Sequence, residues 1–459
     1  MNHPQAAPKI AIVGSGISGL ASAAFLHQTR PQPELLLFEA SSSLGGIIAT
    51  EQQDALYLER GPLSIAAANP SVERLLRQLE LYDALEPAET PDARYIFSDG
   101  ALKRFSRDPR KLVETGLLSR RGAARALAEP LIPRRREGAP EAIWDFFTRR
   151  FGREVTENII QPLLLGITTG ETRDTDMETL FPDLLRRERE RGSLLRSMAE
   201  DALGRRSSAR ATTYWLRGGG LQQIGERVCG LPGVHTHLNT AITALKPRSD
   251  GGMRLHAGDA QFWDVDAVIL ATPTYVSASL LAPLVPAAAR TLREIDYHGM
   301  ALVQLVYEDR DLVSLPRRMQ LLVRRGQGIR MIAAQSATEI FPSQSAGSES
   351  VLRCLYGGAF AHDASTLTEE ALVRTARVEL SAMLDLETIP LREHVSIWPK
   401  AVPHFRPGHL TRMRDVDRAL EALPALRVIG AGVSGLSVSA CVEHAWAAAT
   451  SLGRPASAR

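Results

Sequence analysis

Residues 9–19 read KIAIVGSGISG, and the reading of this stretch decides the fold. KIAIV (9–13) is a short, almost wholly apolar run of the kind that forms a buried parallel strand. Gly14, Gly16 and Gly19 follow at once, and LASAAFLHQ (20–28) continues with the apolar spacing of a helix. A second apolar run, LLLF (35–38), ends at Glu39, twenty residues beyond Gly19. Strand, glycine triad, helix, strand and acid together make a dinucleotide fingerprint. Gly14 allows the tight turn, Gly16 lets backbone approach a diphosphate, and Gly19 lets helix and strand pack closely. Ser15, Ile17 and Ser18 complete the turn, and Glu39 is placed to accept hydrogen bonds from a ribose. The diphosphate is expected at the helix N-terminus, where unpaired N–H groups and the helix dipole favour negative charge.

Residues 428–438, VIGAGVSGLSV, repeat the pattern with Gly430, Gly432 and Gly435. Only 24 residues follow Gly435, and the position twenty residues on is Pro455 rather than an acid ending a strand. A complete strand–helix–strand unit takes about 30 residues. The chain is therefore expected to bind one dinucleotide, touched from both ends.

After Glu39 come ASSSLGG (40–46), with Gly45 and Gly46, and YLERGP (57–62), ending in Gly61 and Pro62. Close glycines soon after the ribose-binding acid resemble the second signature of two-domain FAD oxidases of the amine-oxidase class. That resemblance implies FAD, with Ala40, Ile47, Gly61, Pro62, Leu63 and Ser64 near the diphosphate and flavin ring. It also implies that the second turn, through Gly435, Leu436, Ser437 and Val438, aims a helix N-terminus at the ring, where it favours the reduced anionic form.

At 459 residues the chain holds two or three domains, and 44% hydrophobic with 23% charged residues is ordinary for a globular protein. No run of about 18 apolar residues suggests a spanning helix. Residues 1–14 show no charged-then-apolar leader, and Cys229, Cys354 and Cys441 are too scattered for a zinc site or disulfide framework. A cytoplasmic, reducing compartment is the expectation. GVHTHLNTAITAL (233–245) and DVDAVILATP (264–273) read as further strands of the nucleotide domain, the second ending in the turn Ala271-Thr272-Pro273. The expected fold class is α/β: a Rossmann-like FAD-binding domain assembled from residues 1–88, 211–290 and 396–459. A mixed α+β substrate domain is expected at 89–105 and 291–395, and a mainly helical, membrane-associating insertion at 106–210.

Longer stretches resemble one family within this class, the protoporphyrinogen oxidases. They are LIPRRREGAPEAIWDFFTRRFGREVTENIIQPLLLGITTGE (131–171), METLFPDLLRRERERGSL (177–194), LRGGGLQQI (216–224), IWPKAVPHFRPGHL (397–410) and SVSACVEHAW (437–446). The family is similar in fold to monoamine oxidases and oxidises a porphyrinogen, removing six electrons with FAD; many members use oxygen and release hydrogen peroxide. The resemblance implies flavin contacts at Gly14–Gly19, Glu39, Ala40, Gly61, Pro62, Ile242, Trp398 and Leu436–Val438. It implies a propionate-binding guanidinium at Arg94, and a cavity wall at Gly170, Met319 and Leu322. Two departures bear on the substrate: Leu63 stands where an arginine or polar residue often follows Gly-Pro, and Gln320 and Arg324 replace a glycine and a proline. Coproporphyrinogen is accordingly the alternative substrate, with Arg324, Arg325 and Arg330 available for extra carboxylates. An amine oxidase or carotenoid desaturase on the same scaffold would also carry these glycine turns, as would a flavin-binding porphyrin carrier.

No triad, paired carboxylates or histidine-ligand spacing accompanies these motifs; His404 and His409, near Trp398, are the histidines to test as proton acceptors. Lysine occurs only at 9, 103, 111, 246 and 400, so 49 of the 54 basic residues are arginine. Between Lys103 and Arg136 eleven basic residues face three acidic ones, a net +8 within a chain of +2. With the interspersed apolar GLL (116–118), LAEPLIP (127–133) and IWDFF (143–147), this segment reads as a solvated face or as a contact with anionic lipid. No aromatic platform for nucleic acid accompanies the charge. The expected setting is cytoplasmic and peripheral on the inner membrane, with a ferrochelatase-type partner downstream and a homodimer as the expected assembly.

Overall fold

The computed structural model describes residues 7–91, 93–135, 138–168, 172–203, 213–358 and 364–452. The first described strand, Lys9–Val13, lies at the centre of a five-stranded sheet whose strands all run parallel. Across the sheet the order is Leu426–Val428, Ala267–Leu270, Lys9–Val13, Glu34–Phe38 and Val234–His237. Three distant parts of the chain thus build one layer.

The unbroken apolar runs are explained by cover on both faces. Ile10 and Ile12 pack with Leu35 and Leu37 beneath the helices Ile17–His27 and Val438–Leu452. Ala11 and Val13 point the other way, into a cluster with Leu245, Met253 and Leu255. Alanines at 21, 23 and 24 let the opening helix lie flat against its neighbours, and Phe25 meets Trp446 of the closing helix edge-on at 5.0 Å.

The stretch 233–245 divides rather than forming one strand. Val234–His237 joins the parallel sheet, the chain turns at Asn239 in a left-handed conformation (φ 52°), and Ala244–Pro247 starts a three-stranded antiparallel sheet. The stretch 264–273 divides likewise: Gln261–Val265 ends the antiparallel sheet and Ala267–Leu270 enters the parallel one. Asp266 marks the crossing, its carboxylate accepting from the Lys9 N–H at 2.7 Å.

The second large sheet has seven strands, ordered Arg392–Pro403, Tyr297–Glu308, Glu349–Gly357, Ala333–Ser336, Gln320–Val323, Arg94–Ser98 and Ala101–Phe105. One face packs on the helix Glu369–Leu384. The other face lines a cavity described below. The described residues of 109–203 are mostly helical. Arg150, fully buried there, pairs with Glu129 and donates to the carbonyls of Ile132 (3.0 Å) and Gly192 (2.9 Å). Arg149 bridges Glu141 at 3.0 Å and Glu188 at 2.7 Å. Part of the arginine excess is therefore internal glue. No described helix is long and apolar enough to cross a membrane.

Candidate active site

Two cavities meet in the middle of the molecule. The first, about 450 Å³, opens at the ends of the central parallel strands, between the two glycine turns. That is the position at which open α/β sheets hold ligands. Gly14, Ser15, Gly16, Ile17 and Ser18 form one wall. Gly14 adopts φ +99°, and a Cβ there would stand 2.8 Å from the Ala271 carbonyl oxygen. Gly16 has open space where its side chain would be, as a backbone that approaches a ligand requires. Gly19 lines no cavity; a Cβ on it would collide with the Gly14 carbonyl, so its part is the tight helix–strand contact.

Glu39 and Ala40 lie at one end of this cavity, with Ile242 beside them. One Glu39 carboxylate oxygen accepts from the Ser15 N–H (3.0 Å) and hydroxyl (2.6 Å), the other from the Ser41 N–H and hydroxyl, both at 2.9 Å. Burial pushes this carboxyl up, but the hydrogen bonds from Ser15 and Ser41 outweigh it and hold Glu39 below its usual range. The charge is thus fixed in place. Gly45, Gly46 and Ile47 close the floor.

The second glycine turn is not a simple strand–turn–helix. Gly430 (φ 126°) opens a four-residue helical turn, Ala431–Ser434, and Gly435 (φ 119°) breaks it before the helix Val438–Leu452 begins. Leu436 and Val438 line the first cavity, whereas Gly435 and Ser437 do not. Ser437 instead caps the closing helix, its hydroxyl accepting from the Ala440 N–H at 3.0 Å. Ser64 lines neither cavity.

The second cavity, about 540 Å³, shares Ile47, Pro62, Ala401, Ala431 and Leu436 with the first. Gly61, Leu63, Arg94, Leu322 and Trp398 line it too. A Cβ on Gly61 would collide with the Ile47 carbonyl oxygen, so backbones at 47 and 61 nearly touch where the cavities join. Opposite them, the strand pair Tyr297–Glu308 and Arg392–Pro403 bulges: His298 faces Val402 and Met300 faces Trp398, leaving Pro399, Lys400 and Ala401 against Gly299 alone. Such bulges re-aim side chains; here Ala401 reaches the junction, and Lys400 enters the first cavity with its ammonium 4.5 Å from the Tyr275 ring centre.

Several expected residues fall elsewhere. Met319 does not line the cavity; it is fully buried in a cluster with Leu315 and Val323, on the opposite face of the sheet. Gly170 lies outside the described residues. Arg324 does not reach either cavity because its guanidinium is held by Asp99 (2.6 Å) and Asn158 (3.0 Å). Arg325 and Arg330 also lie outside both cavity walls. His404 sits between Thr175 and Asp174, and His409 donates from Nε2 to the Val433 carbonyl at 3.3 Å; neither lines a cavity. Burial pushes the His409 imidazole down to about 4.

Sequence reasoning passed over Arg60, Gln335 and Arg353, all in the second cavity's wall. Arg353 had a readable signal, a lone arginine in the apolar strand run VLRCLY (351–356). It donates from Nη2 to the Gly61 carbonyl at 2.7 Å and to that of Glu59 at 3.3 Å, and burial lowers its guanidinium to about 10. Glu59, buried below, accepts from the Trp215 indole (2.7 Å), the Leu221 N–H (2.9 Å) and the Thr50 hydroxyl (3.0 Å), and burial pushes it up to about 7.

Comparison with known proteins agrees with this geometry. The profile of the flavin containing amine oxidoreductase family matches residues 17–452. The coproporphyrinogen III oxidase of Bacillus subtilis strain 168 is 25% identical, with 96% of each chain covered. The chloroplastic protoporphyrinogen oxidase of Nicotiana tabacum is also 25% identical, over 97% of this chain and 86% of its own. Among solved structures, a provisionally assigned protoporphyrinogen oxidase from Exiguobacterium sp. 255-15 superposes with a TM-score of 0.87 at 24% identity, over 98% of this chain and 99% of that one. Cyclohexylamine oxidase from Brevibacterium oxydans superposes at 0.71 with 16% identity, over 97% and 99%. A glycine cradle open to a ligand, a fixed acid at its far end and a second turn closing over it fit FAD in this setting. The chain belongs to the flavin containing amine oxidoreductase family and is an FAD-dependent oxidoreductase.

Proposed function

We propose that this enzyme oxidises a porphyrinogen to the porphyrin, a six-electron reaction of haem biosynthesis, with oxygen as acceptor and hydrogen peroxide as by-product. The observation that carries the reading is the junction at Pro62, Ala401 and Leu436, where the dinucleotide cavity opens onto an apolar one walled by Leu63, Leu302, Leu322 and Leu355. Gly14–Ser18, Glu39, Gly45, Gly46, Ile242 and Val438 would hold the FAD. When bound, it supplies an acceptor for hydride from the porphyrinogen's activated C–H bonds. Among the described residues no Asp, Glu or His lines the second cavity, so the chain's contribution is to orient a large apolar ring and exclude water. Arg94, steadied at 2.8 Å by Gln320, offers a carboxylate two parallel donors.

The substrate reading draws on relatives named for both protoporphyrinogen and coproporphyrinogen oxidation. Amine oxidation is less well supported: Trp398 is the one aromatic residue among the described lining, too little for a cage around an amine. The basic helical block adds a peripheral contact with anionic membrane, from which an apolar product would pass to a ferrochelatase-type partner. The test is anaerobic mixing of the FAD-loaded chain with each porphyrinogen. Flavin bleaching with either supports the reading. An unreduced flavin with both, alongside bleaching by an amine, would replace it.

A further inference from the structure

The register of the seven-stranded sheet places one polar row across the cavity floor. Arg94 stands opposite Gln320, Gln320 opposite Gln335, and Gln335 opposite Arg353, on four adjacent strands. Residues directly opposite share a face, and all four line the second cavity. Two residues along the same strands, the parallel row is Ile96, Leu322, Ala333 and Leu355, which is apolar. Strands lie about 4.8 Å apart, so three steps separate the two arginine backbones by about 14 Å.

The two ends of this row are short of partners. Among the described residues no carboxylate lies within ion-pair distance of Arg94 or Arg353; the charge of Glu59 acts on Arg353 from farther off, and the Gln335 amide has no hydrogen-bond partner. Arg353 is only 5% exposed, yet its Nε and Nη1 groups have no acceptor. A buried donor left unanswered is costly, so a ligand oxygen placed there recovers part of that cost. The Nη2 anchor on Gly61 sets this guanidinium beside the segment where the two cavities join.

We propose that Arg353 is a second carboxylate anchor, and that the row from Arg94 to Arg353 selects a porphyrinogen carrying carboxylates on separate edges of the ring. This rests on the porphyrinogen reading and sharpens it. Protoporphyrinogen IX carries two propionates on neighbouring pyrroles, along a single edge, so one end of the row serves both. Coproporphyrinogen III carries one propionate on each of its four pyrroles, so carboxylates on different edges reach cations far apart. The two glutamines between the arginines donate to propionates that fall short of either end.

The experiment compares kcat and KM of the FAD-loaded chain for coproporphyrinogen III and protoporphyrinogen IX, with Arg353→Gln, Arg353→Lys and Gln335→Leu. The wild type is expected to prefer the tetracarboxylate. Arg353→Gln should lower kcat/KM for coproporphyrinogen about 10–100-fold more than for protoporphyrinogen, mainly through KM, and Arg353→Lys should recover part of that difference. Gln335→Leu, which leaves the Gly61 anchor intact, should shift the same ratio in the same direction by less. Equal losses on both substrates together with weakened FAD retention would make Arg353 a brace for Gly61 and overturn the assignment. A wild type that prefers protoporphyrinogen, with a ratio untouched by either substitution, would overturn it while leaving the porphyrinogen reading standing. If neither substrate is oxidised, both fall.

Discussion

Glu39 shows how a single side chain is prepared before its ligand arrives. Ser15 and Ser41 hold both carboxylate oxygens, so under the proposed FAD site the charge would cost little reorganisation when a ribose hydroxyl joins them. Replacing Glu39 by Ala should weaken FAD binding about 10–100-fold, as loss of hydrogen bonds to a charged group does, in a fluorescence titration of the apo chain. Residues of this kind were legible in the sequence because glycine spacing and a terminal acid are local patterns. The place of Met319 was not, nor was that of Arg353, whose lone charge in an apolar strand was visible but not the cavity it meets, for a shared reason. Which face of a strand meets a cavity depends on register with strands far away, and a side chain one position off points into the opposite layer. Met319 thus belongs to the core while Gln320, its neighbour, lines the second cavity.

At the scale of elements, the two glycine turns differ in how they are held. The first is tied to the next strand and loop: the Gly14 N–H donates to the Phe38 carbonyl (2.8 Å), the Gly45 N–H to the Ser15 carbonyl (3.0 Å), and Glu39 holds Ser15. The second depends on the helix His409–Leu420, whose His409 donates to Val433 within the short turn Ala431–Ser434. His409 is kept neutral by burial, its value pushed down to about 4 from 6.5. A depressed imidazole contributes stability that is complete above pH 6.5 and is lost as pH falls through 4. Glu59 has the opposite sign: raised to about 7, its contribution is complete below its ordinary value of 4.5 and is lost as pH rises through 7. Melting temperatures should therefore decline on both sides of a mildly acidic optimum. The two windows overlap and oppose each other between pH 4.5 and 6.5, so Glu59→Gln should flatten the alkaline limb and steepen the rise between pH 4.5 and 6.5; equal slopes in variant and wild type would refute this. The elements themselves were mostly visible as apolar runs. Their division at Asn239 and Asp266 was not, because one apolar period serves parallel and antiparallel partners alike.

The whole molecule joins a parallel sheet to a mixed one, with the two cavities between them and a helical block to one side. The family-wide architecture was readable from the paired glycine turns, since a second turn without room for a second nucleotide has to return to the first. The role of the basic helical block was not, because a count of charges does not separate internal pairs from outward ones. Arg125 serves the carbonyls of Arg149 and Arg150, and Arg135 pairs with Glu141. Leu127 and Leu131, by contrast, are 58% and 79% exposed, close to Arg120, Arg121 and Arg134 in sequence. The chain should sediment with vesicles containing about one-third anionic lipid and be released by high salt, and Leu131→Asp should reduce the bound fraction severalfold. Equal sedimentation with neutral vesicles would count against the charge-guided contact.

The parallel sheet takes its edge strand, Leu426–Val428, from the far end of the chain, and the helix that covers Lys9–Val13 comes later still. A ribosome releases the opening turn hundreds of residues before the piece that shuts it. During synthesis the nascent N-terminal half thus has an unfinished cradle, and the yellow cofactor is best loaded once translation has finished.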